Sequence, residues 1–395
     1  MAMIYDFDIV QDRSGTMAEK YDFAEKKGKP LDATPLWVAD MEFTTAQPII
    51  EALKKRAEHG IFGYTETNEA YAEVIKAWWK THYSFDIQSE WITKTPTVVY
   101  SLATAVCAFT EVGDAVLIQQ PVYHPFKNVI TANQRQPVSN DLRLINGRYY
   151  MDLEDFEEKI KKYHIKLFLL CNPHNPVGRS WTAFELQQMG EICRKYGVIV
   201  VSDEIHCDFT WSGNQHTVLL NADSALEDQC IICTSPSKTF NLAGLQIANN
   251  IIPNAELREK FLSVKERAGY DESNIMAITA CMAAYSSGQE WYRQLKAYLE
   301  KNISFVSSFI SHEMPGITLI HPEATYLLWM DFRALEMSDA EIERRMLYDA
   351  KIWLNNGSMF GPAGIGFQRI NVACARPVLQ DAMVRMRDAF CLRKP

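Results

Sequence analysis

A chain of 395 residues, 47% of them hydrophobic, can bury a large core, which excludes global disorder. A net charge of -9, with lysines and arginines scattered rather than striped, excludes a nucleic-acid surface. No apolar run is long enough to span a bilayer, and Met1–Arg13 lacks the basic-then-apolar order of a signal peptide, so a cytosolic location is expected.

In chain order, residues 1–45 are proline-punctuated and irregular, and are expected to pack against the far end of the chain. Short apolar runs then alternate with helical patterns. Ala115–Gln119 reads as a buried strand. Asp152–Tyr163 reads as an amphipathic helix, acidic early and lysine-rich late, as the helix dipole prefers. Leu167–Cys171 is a second strand, and Thr182-x-x-Glu185 is a capping box that opens a helix stopping at Gly197. Val198–Ser202, Cys230–Cys233 and Ile247–Ile252 are three further strands. Two-sided apolar strands separated by helices predict an α/β fold, a mainly parallel sheet sandwiched by helices, over residues 46–285.

The pattern changes after Ser286. A long helix over Gln289–His312 precedes a Pro315-Gly316 turn and a strand over Tyr326–Asp331. A second capping box, Ser338-x-x-Glu341, and a helix after Pro377 follow. Residues 286–395 together with 1–45 are expected to form a smaller α+β domain.

The nine cysteines are odd in number and lie mostly in apolar runs, so no disulfide framework is expected. Cys230-x-x-Cys233 sits inside a strand pattern with no second pair at a zinc spacing, and His312-Glu313-Met314-Pro315 lacks a second histidine. No metal site is expected.

Ligands of open α/β sheets sit beyond the carboxyl ends of the strands. Here those ends run into Pro121-Val122-Tyr123, Asn172-Pro173-His174-Asn175, Ser202-Asp203-Glu204-Ile205-His206 and Ser235-Pro236-Ser237-Lys238. Pyridoxal phosphate (PLP) needs such a set. Its aldehyde takes a lysine, its ring nitrogen a buried carboxylate, its ring face an aromatic, and its phosphate a helix start with hydroxyls. Lys238, Asp203, Tyr123, Asn175 for the phenolic oxygen, and Thr97, Val98 and Val99 with Ser235 and Ser237 would serve these needs in turn. Taken singly, Asp203 reads equally well as a helix cap, Asn175 as a turn residue and Tyr123 as a core aromatic.

The combination Asn172-Pro-x-Asn175-Pro-x-Gly178, Ser202-Asp203-Glu204 and Ser235-x-Ser237-Lys238 resembles the motifs of the fold-type I PLP enzymes of the class I/II aminotransferase superfamily, over almost the whole chain. The resemblance implies that Lys238 forms the Schiff base, Asp203 pairs with the pyridinium, and Asn175 holds the phenolic oxygen. It implies that Tyr123 stacks on the ring. Gly63-Tyr64 resembles the element whose tyrosine reaches the partner subunit's phosphate, which implies a homodimer with shared sites. Arg369-Ile370-Asn371-Val372-Ala373-Cys374-Ala375-Arg376 resembles the segment whose final arginine clamps the substrate α-carboxylate, which assigns that task to Arg376, beside Tyr123 and Asn175. Arg376 otherwise reads as a helix-cap salt-bridge partner.

Trp37–Phe43, Ser202–Asp208 and Pro322–Tyr326 look like the MalY/PatB family of cystathionine β-lyases. His206 stands where aspartate-type aminotransferases place a tyrosine on the phenolic oxygen, and Gln246 where many have a phosphate-binding arginine. Thr97 replaces a glycine and Ala375 a proline of the lyase pattern. The expected reaction is α,β-elimination of L-cystathionine or a related S-substituted cysteine to a thiol, pyruvate and ammonia. Transamination to a 2-oxo acid is the alternative, and a binding protein that keeps PLP only structurally is a third reading. Trp37, Asp40 and Tyr326 are candidates for the substrate pocket, although core packing accounts for the two aromatics equally well.

Overall fold

The apolar runs become the middle of one seven-stranded sheet in a computed structural model that describes residues 3–211 and 213–391. The order across the sheet is Ile92–Thr95, Ala248–Ile251, Cys230–Thr234, Ile199–Asp203, Leu167–Cys171, Ala115–Ile118 and Gln136–Ser139. Every residue of Ala115–Ile118, Leu167–Cys171 and Cys230–Thr234 is buried, because helices cover both faces.

The pairing is parallel from Gln136–Ser139 across to Cys230–Thr234. Ala248–Ile251 runs antiparallel to both of its neighbours, so the sheet departs from a wholly parallel one there. The cause lies in the connection from Thr234. It holds the four-residue helix Pro236–Thr239 and a single 3-10 turn, with no helix long enough for a crossover. The chain instead doubles back, and the doubling carries Lys238. The two edge strands were not legible as apolar runs, being short and partly polar.

Register sets the site. Cys171 lies opposite Asp203, and Asp203 opposite Cys233, so three strands end at one level. The helices behind them have the expected signals. Thr182 and Glu185 form a reciprocal capping box on Ala183–Tyr196, and Gly197 at φ 65° closes it in the left-handed conformation that glycine adopts without strain. Asp152 caps Leu153–Tyr163.

A second, antiparallel sheet orders Thr318–Leu319, Leu327–Asp331, Phe367–Asn371 and Asn355–Asn356. The helices Gln289–Glu313 and Arg376–Phe390 flank it, tied by Asn302, whose amide donates to the carbonyls of Val372 and Cys374 at 2.9 Å. Thr34–Pro35 pairs in parallel with Ile352–Trp353, which joins the amino-terminal segment to this half. Among the described residues, no helix is long and apolar enough to cross a membrane.

Candidate active site

Lys238 sits in the first turn after Cys230–Thr234, where Ser235 caps Pro236–Thr239 by accepting from the Ser237 N–H at 3.1 Å. Its Nζ donates to the Ala39 carbonyl at 2.9 Å. Burial pulls the amine down to about 8, with the Arg369 charge acting the same way and Asp40 and Asp203 opposing. It faces a cavity of about 300 Å³ at the strand ends.

Asp203, the last residue of its strand, lines the same cavity. Burial pushes its carboxyl up to about 7, against the Ile205 N–H that donates to Oδ1 at 3.1 Å. No basic side chain hydrogen-bonds to it among the described residues. Asn175 turns its carbonyl oxygen to Arg369 Nη1 at 2.9 Å, which leaves its NH₂ as a donor for a ligand. The Tyr123 N–H donates to the Asn175 carbonyl at 3.0 Å, locking the aromatic beside the amide. His206 is buried, and burial together with the Lys238 and Arg369 charges holds its ring neutral. Its Nδ1 has no partner.

At the opposite end of the cavity, Thr97 caps the helix Val98–Phe109 by accepting from the Tyr100 N–H at 3.1 Å. Its φ of -151° is extended backbone, so a glycine is not needed there. Val98 and Val99 are the first residues of the helix, where N–H groups lack internal acceptors. The Ser235 hydroxyl lies within donating distance of the Ile247 carbonyl at 2.6 Å and of Ser237 Oγ at 2.9 Å, and both serines line the cavity.

Arg376 is not brought to this cavity. It opens the last helix, its Nε donates to Asn302 Oδ1 at 2.8 Å, and its guanidinium lies 4.8 Å from the Phe305 ring centroid. The arginine that reaches the site is Arg369, on the strand Phe367–Asn371. It is buried, bonded to Asn175, to the Trp37 carbonyl at 2.9 Å and to Asn355 Oδ1, while its Nε has no partner. Arg376, expected at the substrate carboxylate, is thus engaged with Asn302 and Phe305 outside the cavity, and Arg369 is the arginine bonded to the cavity residue Asn175. Tyr64 also lies outside the cavity, 94% exposed beside the exposed Ile61 and Phe62. Trp37 stacks on Trp353 at 4.5 Å and lends the site only its carbonyl. Tyr326 donates to the Ala39 carbonyl at 3.0 Å, sharing that oxygen with Lys238.

The family model for aminotransferase class I and II matches residues 34–385. The chain belongs to that family. It is 42% identical over 385 residues to the cystathionine beta-lyase PatB of Bacillus subtilis, covering 98% of this chain and 100% of that one. The PLP-bound putative aminotransferase of Clostridium difficile has a TM-score of 0.95 at 40% identity, covering 98% of this chain and all of that one. The PLP-bound C-S lyase of Staphylococcus hominis has a TM-score of 0.92 at 31% identity, covering 99% of both.

In this family member the residues present fit PLP. A buried carboxylate near 7 without a cationic side-chain partner suits a protonated ring nitrogen. The free Asn175 amide and the orphaned His206 nitrogen offer polar contacts for ring oxygens, and the helix start with Ser237 suits a phosphate. Capture of the aldehyde requires a neutral amine. The rate at which cofactor-free protein takes up PLP, followed by visible absorbance, is expected to rise with pH through about 8 and then level off. A rise that continued toward the ordinary lysine value of 10.5 would show an amine without that depression.

Proposed function

We propose that the chain is a PLP-dependent carbon–sulfur lyase that eliminates the sulfur substituent of L-cystathionine and related S-substituted cysteines. The observation that carries this is the cavity lined by Lys238, Asp203 and Asn175, with Arg369 bonded to Asn175, in a chain 42% identical to a cystathionine beta-lyase along nearly its whole length.

When bound, PLP supplies an aldehyde for Lys238 and a conjugated ring that lowers the cost of negative charge at the substrate Cα. Arg369 orients the substrate by its α-carboxylate, a two-pronged task that its planar guanidinium suits. Asp203 keeps a proton on the ring nitrogen. Lys238, freed by the substrate amine, takes the Cα proton; an amine near 8 holds enough of its neutral form at neutral pH to act as a base. The electron pair of the Cα–H bond becomes the Cα–Cβ double bond as Cβ–S breaks, and sulfur leaves as thiolate with the Cβ–S bonding pair. Lys238 then returns a proton to the thiolate. The three-carbon enamine takes up water to give pyruvate and ammonia.

Exposed Tyr64, with Ile61 and Phe62, supports a homodimer in which this tyrosine reaches the partner's phosphate site. Nine free cysteines, seven of them buried, support a reducing, cytosolic setting. The two sheets support a cofactor domain over 46–285 and a smaller domain built from both ends of the chain. The test is PLP-loaded protein with L-cystathionine and no 2-oxo acid. Sustained release of pyruvate and thiol is expected. Turnover that begins only when a 2-oxo acid is added would replace elimination by amino-group transfer.

A further inference from the structure

A second cavity, of about 560 Å³, lies between the amino-terminal segment and the Lys238 loop. It shares Lys238 and Ala243 with the cofactor cavity, so the two meet at the reacting amine. Besides Lys238, five ionisable side chains line it: Arg13, Glu19, Lys20, Asp40 and Glu42, of which Glu19 is paired with Lys27 at 2.8 Å.

Lys20 and Glu42 are paired with each other. Lys20 is 1% exposed, with Nζ 2.5 Å from Glu42 Oε1, and Glu42 also accepts from the Tyr21 hydroxyl at 2.9 Å. Arg13 and Asp40 are the accessible pair, 24% and 22% exposed and joined at 2.7 Å. Asp40 uses Oδ2 for that bond. Its Oδ1 has no hydrogen-bond donor, with only the Lys20 ammonium 3.4 Å away. Arg13 spends one N–H on Asp40 and one on Glu42 out of its five. Asp40 Oδ1 itself is buried against Lys20, so what reaches the cavity is the rest of the partly exposed Asp40 carboxylate beside the partly exposed Arg13 guanidinium. Ala39, whose carbonyl holds Lys238, immediately precedes Asp40.

An apolar sulfur substituent lodged here would strip water from these ions and return no contacts. A substituent of one charge would meet one partner and one repeller. A head group with ammonium and carboxylate on the same carbon meets both.

We propose that Arg13 and Asp40 form a subsite for the distal amino-acid head of the sulfur substituent, the Asp40 carboxylate accepting from its ammonium and Arg13 donating to its carboxylate. The subsite rests on the carbon–sulfur lyase reading and makes these two residues determinants of specificity, remote from the bond that breaks.

The test compares kcat/KM for pyruvate release from four substrates. They are L-cystathionine, S-(2-aminoethyl)-L-cysteine, S-(2-carboxyethyl)-L-cysteine and S-ethyl-L-cysteine. The native holoenzyme is expected to favour cystathionine over the S-ethyl compound by about tenfold or more. Arg13→Gln should lower the cystathionine to S-ethyl ratio about tenfold while moving the aminoethyl to S-ethyl ratio by less than about threefold. Asp40→Asn should lower the cystathionine and aminoethyl ratios and spare the carboxyethyl ratio. Arg13→Lys, which keeps the charge and the ion cluster, should retain most of the preference. A native enzyme indifferent among the four, or variants that lower all four alike, overturns the subsite and leaves the lyase reading standing. Failure of the native holoenzyme to release pyruvate from any of them removes the lyase reading, and the subsite with it.

Discussion

Replacing Lys238 by alanine is expected to lower kcat for pyruvate release by at least about 10³-fold, the scale of a lost proton-transfer group. The same variant should bind PLP reversibly, so that the cofactor is removed by dialysis. The protein itself should remain folded. The Lys238 ammonium makes one hydrogen bond, to the Ala39 carbonyl, which keeps Tyr326 as a second donor. A folded-state value near 8, below the ordinary 10.5, means that the unfolded chain binds that proton more readily. The buried ammonium is therefore a net cost to the cofactor-free fold near neutral pH. That cost shrinks as pH rises above the folded-state value and is gone above the unfolded one. Cofactor-free Lys238→Ala should melt no lower than the cofactor-free native protein at pH 7. A variant that still turns over at a tenth of the native rate, or that melts well below it, would place the reacting amine elsewhere.

The second large effect separates two arginines seven positions apart. Arg369→Gln is expected to lower kcat/KM about 10- to 150-fold, equivalent to the 1.5–3 kcal/mol of a hydrogen bond to a charged group. Much of the loss should appear in KM, because the α-carboxylate binds before any bond breaks. Arg376→Gln should change kcat/KM by less than about threefold and instead cost about 1 kcal/mol of stability, through the lost Asn302 bond and the contact with Phe305. Steady-state kinetics and thermal melts of the two variants check this directly. The reverse pattern would restore Arg376 to the carboxylate.

That pair also shows what the sequence could and could not reveal. Strand ends were legible because each pairs an apolar run with a chemically distinctive residue: Asp203 after Val198–Ser202, Asn175 after Leu167–Cys171, Lys238 after Cys230–Cys233. Phe367–Asn371 offers no such contrast. Every one of its residues is buried, arginine and asparagine included, so no alternation marks which side chain faces the site. The signal against Arg376 was present, since Pro377 beside it marks the first turn of a helix. The reversal of Ala248–Ile251 was hidden for a similar reason. Its strand carries buried Asn249 and Asn250 and depends on partners far away, such as the Tyr71 hydroxyl, which donates to Asn249 at 2.6 Å. Arg13, Lys20, Asp40 and Glu42 are separated by stretches with no pattern in common, and only the folded amino-terminal segment brings them to Lys238. Local chemistry reads from local sequence, whereas clusters assembled across the fold do not.

The proposed chemistry depends on the cofactor being held by one particular lysine out of many. Borohydride reduction of the native, PLP-loaded protein, followed by mass mapping of its peptides, tests this most directly. The structure predicts a pyridoxyl group on the peptide containing Lys238, one per chain, and none on that peptide in Lys238→Ala. A label on Lys20, Lys94 or another lysine, or no fixed cofactor at all, would contradict it.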